Sequence, residues 1–180
     1  MNPASAAPPE ALSRVRVLAL DCDGVLTAGE LIYTREGDDL HVFNVRDGHG
    51  LVLARVAGLK LILLTGRLSQ SVERRVTELR FDHIAQRAQN KGALLRTWCQ
   101  EHGFSREEVC FVGDDINDIS AARFAGVGVA VADAVPELKA EVTWVTQAKG
   151  GHGAVREVCE AILKAQGRWE EIVRRYADEL

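Results

Sequence analysis

Apolar and polar positions along this chain follow two different periods. Short runs of consecutive apolar residues occupy positions 15–21 (VRVLALD), 59–66 (LKLILLTG), 109–115 (VCFVGDD) and 126–133 (GVGVAVAD), with a weaker one at 142–146 (VTWVT). Continuous apolar strands of this kind fit a sheet buried on both faces. Between them, residues 50–57, 70–79, 91–102, 118–125 and 154–165 carry helical spacing. Strands alternating with helices predict βαβ units, hence an α/β fold with a Rossmann-like parallel sheet and helices on both faces.

Three segments stand outside the alternation. Residues 29–48 hold two β-rich runs, 31–34 and 40–45, separated by the polar turn REGDD, which is a β-hairpin signal. Residues 167–180 predict an amphipathic helical tail, with Trp169, Ile172, Val173 and Tyr176 at i, i+3, i+4 and i+7. Its apolar side requires a partner surface, in this subunit or a neighbour. Residues 1–13, rich in Ala, Pro and Ser, read as a flexible tail that orders only if something docks on it.

Composition narrows the class. A chain of 180 residues that is 47% hydrophobic fits one soluble globular domain. With 22 basic and 26 acidic residues the net charge is −4, so neither nucleic acid nor anionic lipid is attracted globally. No apolar stretch is long enough to cross a bilayer. Cys22, Cys99, Cys110 and Cys159 form no C-x-x-C pair and sit in apolar surroundings, so they read as buried thiols. The first fifteen residues lack a charged start followed by an apolar run, and a cytoplasmic location is expected.

Three polar clusters fall at the carboxyl ends of expected strands: Asp21 with Asp23, Thr65 with Arg67, and Asp114 with Asp115 and Asp118. Ligands of open α/β sheets bind beyond those ends, so clusters distant in sequence converge on one site. Asp21 and Asp23, two apart, point the same way if strand geometry persists. Together with Asp114 they cannot sit side by side unneutralised; a pKa rises or a cation is recruited. Hard oxygen ligands suit Mg²⁺, which typically takes one or two carboxylates plus substrate phosphate and water. Asp118 alone reads equally well as a helix cap. Thr65 and Gly66 place a hydroxyl and free amides before a helix, as in a phosphate pocket. Lys91, in QNKGALL, opens another helix and by itself reads as a surface lysine.

Taken together, DCDGVLT (21–27), LLTGR (63–67), NKG (90–92) and VGDDIND (112–118) resemble, in order and spacing, the four motifs of the haloacid dehalogenase superfamily. The segments FNVRDGHG (43–50) and KGGHGAVREVCEAILKAQG (149–167) are similar to those of the phosphatases acting on 3-deoxy-D-manno-octulosonate 8-phosphate. The resemblance runs from about Val15 to Gly167, and the domain it defines is placed at 14–166. It implies a Mg²⁺-dependent phosphatase domain of lipopolysaccharide precursor synthesis, acting on a small sugar-acid phosphate and assembled as a homotetramer. It assigns Asp21 as nucleophile and Asp23 as general acid and base. Asp21, Asp114 and the Asp23 backbone carbonyl become metal ligands, with Asp115 and Asp118 behind them, holding metal waters or Lys91. Thr65, Gly66 and Lys91 receive the phosphate.

Spacing bears on substrate selection. The 37 residues at 28–64 and the 23 at 68–90 leave no room for a large cap domain, so the site is capless apart from a hairpin flap at about 29–46. Neighbouring subunits would then complete it, with Arg46 and Arg67 as candidates for the substrate carboxylate or sugar, a role suited to their planar donor fork. Two features depart from the family: His152 stands where an Arg is usual, and the tail from residue 167 is longer and more charged. Two alternatives stay open. One is a phosphatase for a nine-carbon, sialic-acid-type sugar phosphate, against which Arg67 and FNVRDG speak. The other is an Asp-phosphorylated receiver-like signalling domain, which has no use for Asp23 as an acid.

Overall fold

The computed structural model describes residues 9–35 and 39–178. In chain order the elements are α1 (Pro9–Ser13), β1 (Val17–Leu20), β2 (Ile32–Tyr33), β3 (Asp39–Leu40), α2 (Val45–Val56), β4 (Lys60–Leu64), α3 (Gln70–Leu79), β5 (His83–Ala85) and α4 (Lys91–His102). There follow β6 (Val109–Gly113), α5 (Ile119–Phe124), β7 (Val127–Ala130), α6 (Pro136–Lys139), β8 (Trp144–Val145), α7 (Ala154–Ala165) and α8 (Trp169–Asp178).

Six strands form one parallel sheet in the order β5-β4-β1-β6-β7-β8. The four residues of β1 are all buried, as continuous apolar runs between two helix layers require. Helices α1, α2 and α7 pack together on one face and α4 with α5 on the other. β1 lies where strand order reverses: β4 flanks it on one side, β6 on the other, and Leu20 pairs with both Leu63 and Val112. The carboxyl ends of the three strands are therefore level, at the switch point where α/β sheets bind ligands. All four cysteines are buried and unbridged. Among the described residues no helix is long and apolar enough to cross a membrane.

Several elements differ from the sequence reading. The first thirteen residues were expected to be loose, yet Pro9–Ser13 is helical and buries Leu12 in the core, beside α7; residues 1–8 lie outside the described ones. β5 and α6 carry no apolar run long enough to be recognised. The hairpin pairs Ile32 with Leu40 and Tyr33 with Asp39, but its second strand stops at Leu40 rather than Val45, and turn residues 36–38 lie outside the described ones. The reason is Asn44. Its side chain accepts from the amides of Arg46 and Asp47, at 2.8 and 3.4 Å, and so caps α2 five residues before the expected start.

That early start joins two distant segments. Gly153, at the N-terminus of α7, has no side chain to cap the helix. The buried Asp47 does so from α2: its carboxylate accepts from Gly153 N at 3.1 Å and Arg156 N at 2.8 Å. Asn44 Nδ2 donates to Gly151 O at 3.1 Å. FNVRDG and KGGHG are thus two halves of one joint. At the far end of the chain, α8 runs along α2 and α7 rather than over the strand ends. Trp169 and Ile172 pack on the core, with Arg156 and Lys164 each 5.3 Å from the Trp169 ring centre, while Val173 and Tyr176 stay about half exposed.

Removing the Asp47 carboxylate orphans two amides at the start of α7. Asp47→Ala is expected to lower stability by about 2 kcal/mol in urea unfolding; a loss below about 0.5 kcal/mol, the usual size of a surface substitution, would count against the joint.

Candidate active site

The sheet brings Asp21 and Asp114 together as expected, but the third carboxylate of the cluster is Asp118, while that of Asp23 faces His41 and Arg67. Asp21 continues the register of β1, its amide donating to Val112 O at 3.0 Å, and its side chain is buried just past the strand end. Asp114 follows β6, and Asp118 lies one turn further on and is fully buried. One oxygen each from Asp21, Asp114 and Asp118 lie within 4.8 Å of one another. The ammonium that offsets them comes from Lys91, first residue of α4, which Asn90 caps by accepting from Ala93 N at 3.0 Å. Lys91 is only 1% exposed, with Nζ 2.8 Å from Asp21 Oδ1 and 2.6 Å from Asp118 Oδ1. It is no surface lysine.

Asp118 is occupied on both oxygens, since Oδ2 accepts from the amides of Asp114 and Asp115 at 2.9 and 3.4 Å. That leaves Asp21 and Asp114 as the carboxylates free to take a cation. Gly24 makes room for the second of them: its φ is +84°, and a Cβ there would lie 2.1 Å from Asp114 Oδ2. This donor set, all oxygen and crowded with negative charge, fits a hard divalent ion such as Mg²⁺.

Electrostatics lead to the same need. Burial and then the Asp118 charge push Asp21 up to about 7, against the pull of Lys91. Burial, then Asp21, Asp118 and Asp115, push Asp114 up to about 8. Burial alone would lower Lys91, but Asp21 and Asp118 outweigh it and hold the ammonium above its ordinary range. One lysine therefore does not neutralise the cluster.

Above it opens a cleft of about 250 Å³, lined among others by Asp21, Asp23, Gly66, Arg67, Asp114 and Asp115. Thr65, next to the lining Gly66, is buried, with Oγ1 accepting from Arg67 N at 3.2 Å, and a Cβ on Gly66 would meet nothing within 4 Å. Arg67 Nε is 3.9 Å from Asp23 Oδ2, and Arg67 Nη2 donates to Tyr33 Oη of the hairpin at 3.2 Å. Asp23 Oδ1 meets His41 Nε2 at 3.2 Å.

Two expectations fare differently. Arg46 was expected at the substrate, but the first turn of α2 directs Asp47 inward and leaves Arg46 exposed, and it does not line the cleft of its own chain. Asp115 was expected behind the metal or at Lys91; it lines the cleft, and its Oδ1 accepts from Ile116 N at 2.6 Å, capping a short 3₁₀ turn. The sequence reading missed Tyr33 and His41. Both lie in a hairpin read only for its strand pattern, and the polar His41 between Leu40 and Val42 was the available signal.

A family model of haloacid dehalogenase-like hydrolases matches residues 81–158. The chain is 40% identical over 157 residues to the 3-deoxy-D-manno-octulosonate 8-phosphate phosphatase KdsC of Escherichia coli strain K12, covering 87% of this chain and 84% of that protein. The Moraxella catarrhalis 3-deoxy-D-manno-octulosonate 8-phosphate phosphatase, solved with magnesium, phosphate and KDO, superposes with a TM-score of 0.91 at 36% identity over 93% of this chain and 97% of that one. The cobalt-bound Haemophilus influenzae enzyme gives a TM-score of 0.85 at 33% identity, over 88% and 93% of the two chains.

The raised carboxyls carry a pH signature. Between the ordinary carboxylate range and their folded values of about 7 and 8, Asp21 and Asp114 hold protons that the unfolded chain has released. Their contribution to stability is present at low pH and is lost as pH rises through that window. A bound cation reverses the loss. Added Mg²⁺ is expected to raise the melting temperature more near pH 8 than near pH 5; equal shifts at both would exclude these carboxylates as its ligands.

Proposed function

This chain belongs to the 3-deoxy-D-manno-octulosonate 8-phosphate phosphatases of the haloacid dehalogenase superfamily, and from that premise we propose that it hydrolyses this sugar phosphate with Mg²⁺ to the free sugar acid and inorganic phosphate. The observation that carries the reading is the buried Lys91 bridging Asp21 and Asp118 beside Asp114, beneath a cleft that opens on Asp23 and Arg67.

The residues divide the reaction between them. An oxygen of Asp21 attacks phosphorus, and the bond from phosphorus to the sugar's terminal oxygen breaks. Asp23 gives that oxygen its proton. It then takes a proton from the water that attacks the aspartyl-phosphate, which frees Asp21 and phosphate. Asp21, Asp114 and the Asp23 carbonyl would hold Mg²⁺, which when bound screens the repulsion between phosphate and carboxylates. Thr65 and Gly66 bind phosphate oxygens, Lys91 orients Asp21, and Asp118 and Asp115 shape the loop behind them. Arg67, facing the cleft, takes the sugar carboxylate. Arg46 can serve only across a subunit boundary.

Such a boundary is supported by the hairpin. A two-stranded ribbon is marginal by itself, and this one exposes Ile32, Tyr33, Leu40 and Val42, the last 73% open. We read it as the contact of a homotetramer that completes the site. The same reading places the enzyme in the cytoplasm, in lipopolysaccharide precursor synthesis.

Phosphate release should be measured with Mg²⁺ from the eight-carbon sugar-acid phosphate, a nine-carbon one and simple hexose phosphates. Strong preference for the first is expected, with activity abolished by EDTA and reduced at least about 10³-fold in Asp21→Asn, which removes the nucleophile. Activity favouring the nine-carbon substrate would reassign the substrate. A stable phosphorylated Asp21 without turnover would favour a signalling domain. Light scattering is expected to give a tetramer that Val42→Asp breaks down; an unchanged tetramer would move the interface elsewhere.

A further inference from the structure

The hairpin ends in a group that the mechanism above does not use. His41, one residue beyond β3, has no exposed side-chain surface. Its Nε2 lies 3.2 Å from Asp23 Oδ1, and its Nδ1 lies 2.7 Å from Ser71 Oγ and 3.4 Å from Ser69 Oγ. Ser69 and Ser71 are themselves 2.9 Å apart, and Ser69 Oγ accepts from Val72 N at 3.3 Å as the N-cap of α3.

One proton arrangement that satisfies these contacts starts from Asp23. An ionised carboxylate only accepts, so Nε2 carries the proton in the bond to Asp23. With that proton on Nε2 alone, Nδ1 can accept from Ser71. Ser71 in turn accepts from the Ser69 hydroxyl, whose other lone pair receives the Val72 amide. The chain therefore runs from the start of α3, through two hydroxyls and the ring, to a single oxygen of Asp23.

We propose that His41 is a positioning residue that fixes which oxygen of Asp23 carries the catalytic proton. While His41 keeps its Nε2–H on Oδ1, a proton taken up by Asp23 goes to Oδ2, the oxygen 3.9 Å from Arg67 Nε. A carboxyl free to rotate would spend part of its time with the proton facing away from the leaving group. This inference rests on the phosphatase reading, with Asp23 as the acid. It also gives the hairpin a part in the chemistry of its own subunit, besides the proposed contact with a neighbour.

The test separates acid positioning from general damage by the choice of leaving group. An alkyl sugar phosphate needs a proton from Asp23 as its oxygen departs, whereas nitrophenolate departs without one. The ratio kcat/KM reports the step in which that bond breaks. His41→Ala is expected to lower kcat/KM for 3-deoxy-D-manno-octulosonate 8-phosphate by about tenfold or more, within the span of general acid catalysis. The loss should fall on kcat, leaving KM nearly unchanged, and p-nitrophenyl phosphate should lose less than about threefold. His41→Gln, which keeps an N–H donor at that reach, is expected to recover most of the loss. Ser71→Ala, which keeps the ring and removes its orienting hydroxyl, should give a smaller loss with the same substrate dependence, and it stands in should His41→Ala not fold. Equal losses on both substrates, or none on the sugar phosphate, would overturn the positioning role while leaving the phosphatase intact. A wild-type protein that releases phosphate from neither substrate would remove the premise, and the inference with it.

Discussion

Three carboxylates bring an oxygen each within 4.8 Å of one another, and a single buried ammonium stands against them. The surrounding architecture follows from that imbalance. Parallel strands put Asp21 and Asp114 near each other because β1 and β6 pair in register up to Leu20 and Val112, just before the two carboxylates. The capped start of α4 delivers Lys91 from a third direction. Burial makes the ammonium effective, since low dielectric strengthens both its contacts, and for the same reason the remaining negative charge is costly to leave unmatched. With all three ionised the cluster is two positive charges short, which a divalent cation would supply.

Positioning devices around this centre come from outside the four motifs. Asn44 and Asp47 fasten α2 to the loop before α7. His41 and Tyr33 bring the hairpin to Asp23 and Arg67. The residues proposed to react sit just past strand ends, while those proposed to aim them sit on segments joined by hydrogen bonds over long sequence distances. Enzymes commonly divide the work this way, because first contacts hold their geometry only when their own supports are fixed.

Legibility in the sequence followed the same division. β1, β4, β6 and β7 were readable because strands buried on both sides must be apolar throughout, and a carboxylate just after such a run has few innocent explanations. β5 was not, since three partly exposed residues, His83–Ala85, leave no periodic trace. The true start of α2 was hidden because Val42, Phe43 and Val45 look like strand, and a cap by Asn44 outweighs that preference. Asp47 and His41 were out of reach for another reason. Their partners are set by tertiary approach, Asp47 meeting Arg156 109 positions away, and no local pattern encodes that meeting. Lys91 was legible only in company: alone it reads as surface, and burial beside two aspartates changes its meaning.

One close approach has a consequence for how the molecule is made. The loop before α7 presses on the loop after β1 so tightly that a Cβ on Gly150 would lie 1.7 Å from Gly24 O. Strand β1 leaves the ribosome early, yet its neighbour β6 is synthesised some ninety residues later and its clamp at Gly150 later still. Contacts this distant in sequence close late in folding. Asp21 therefore stays an ordinary solvated aspartate until the chain has been made at least as far as Gly150, and the carboxylate cluster is completed only after that.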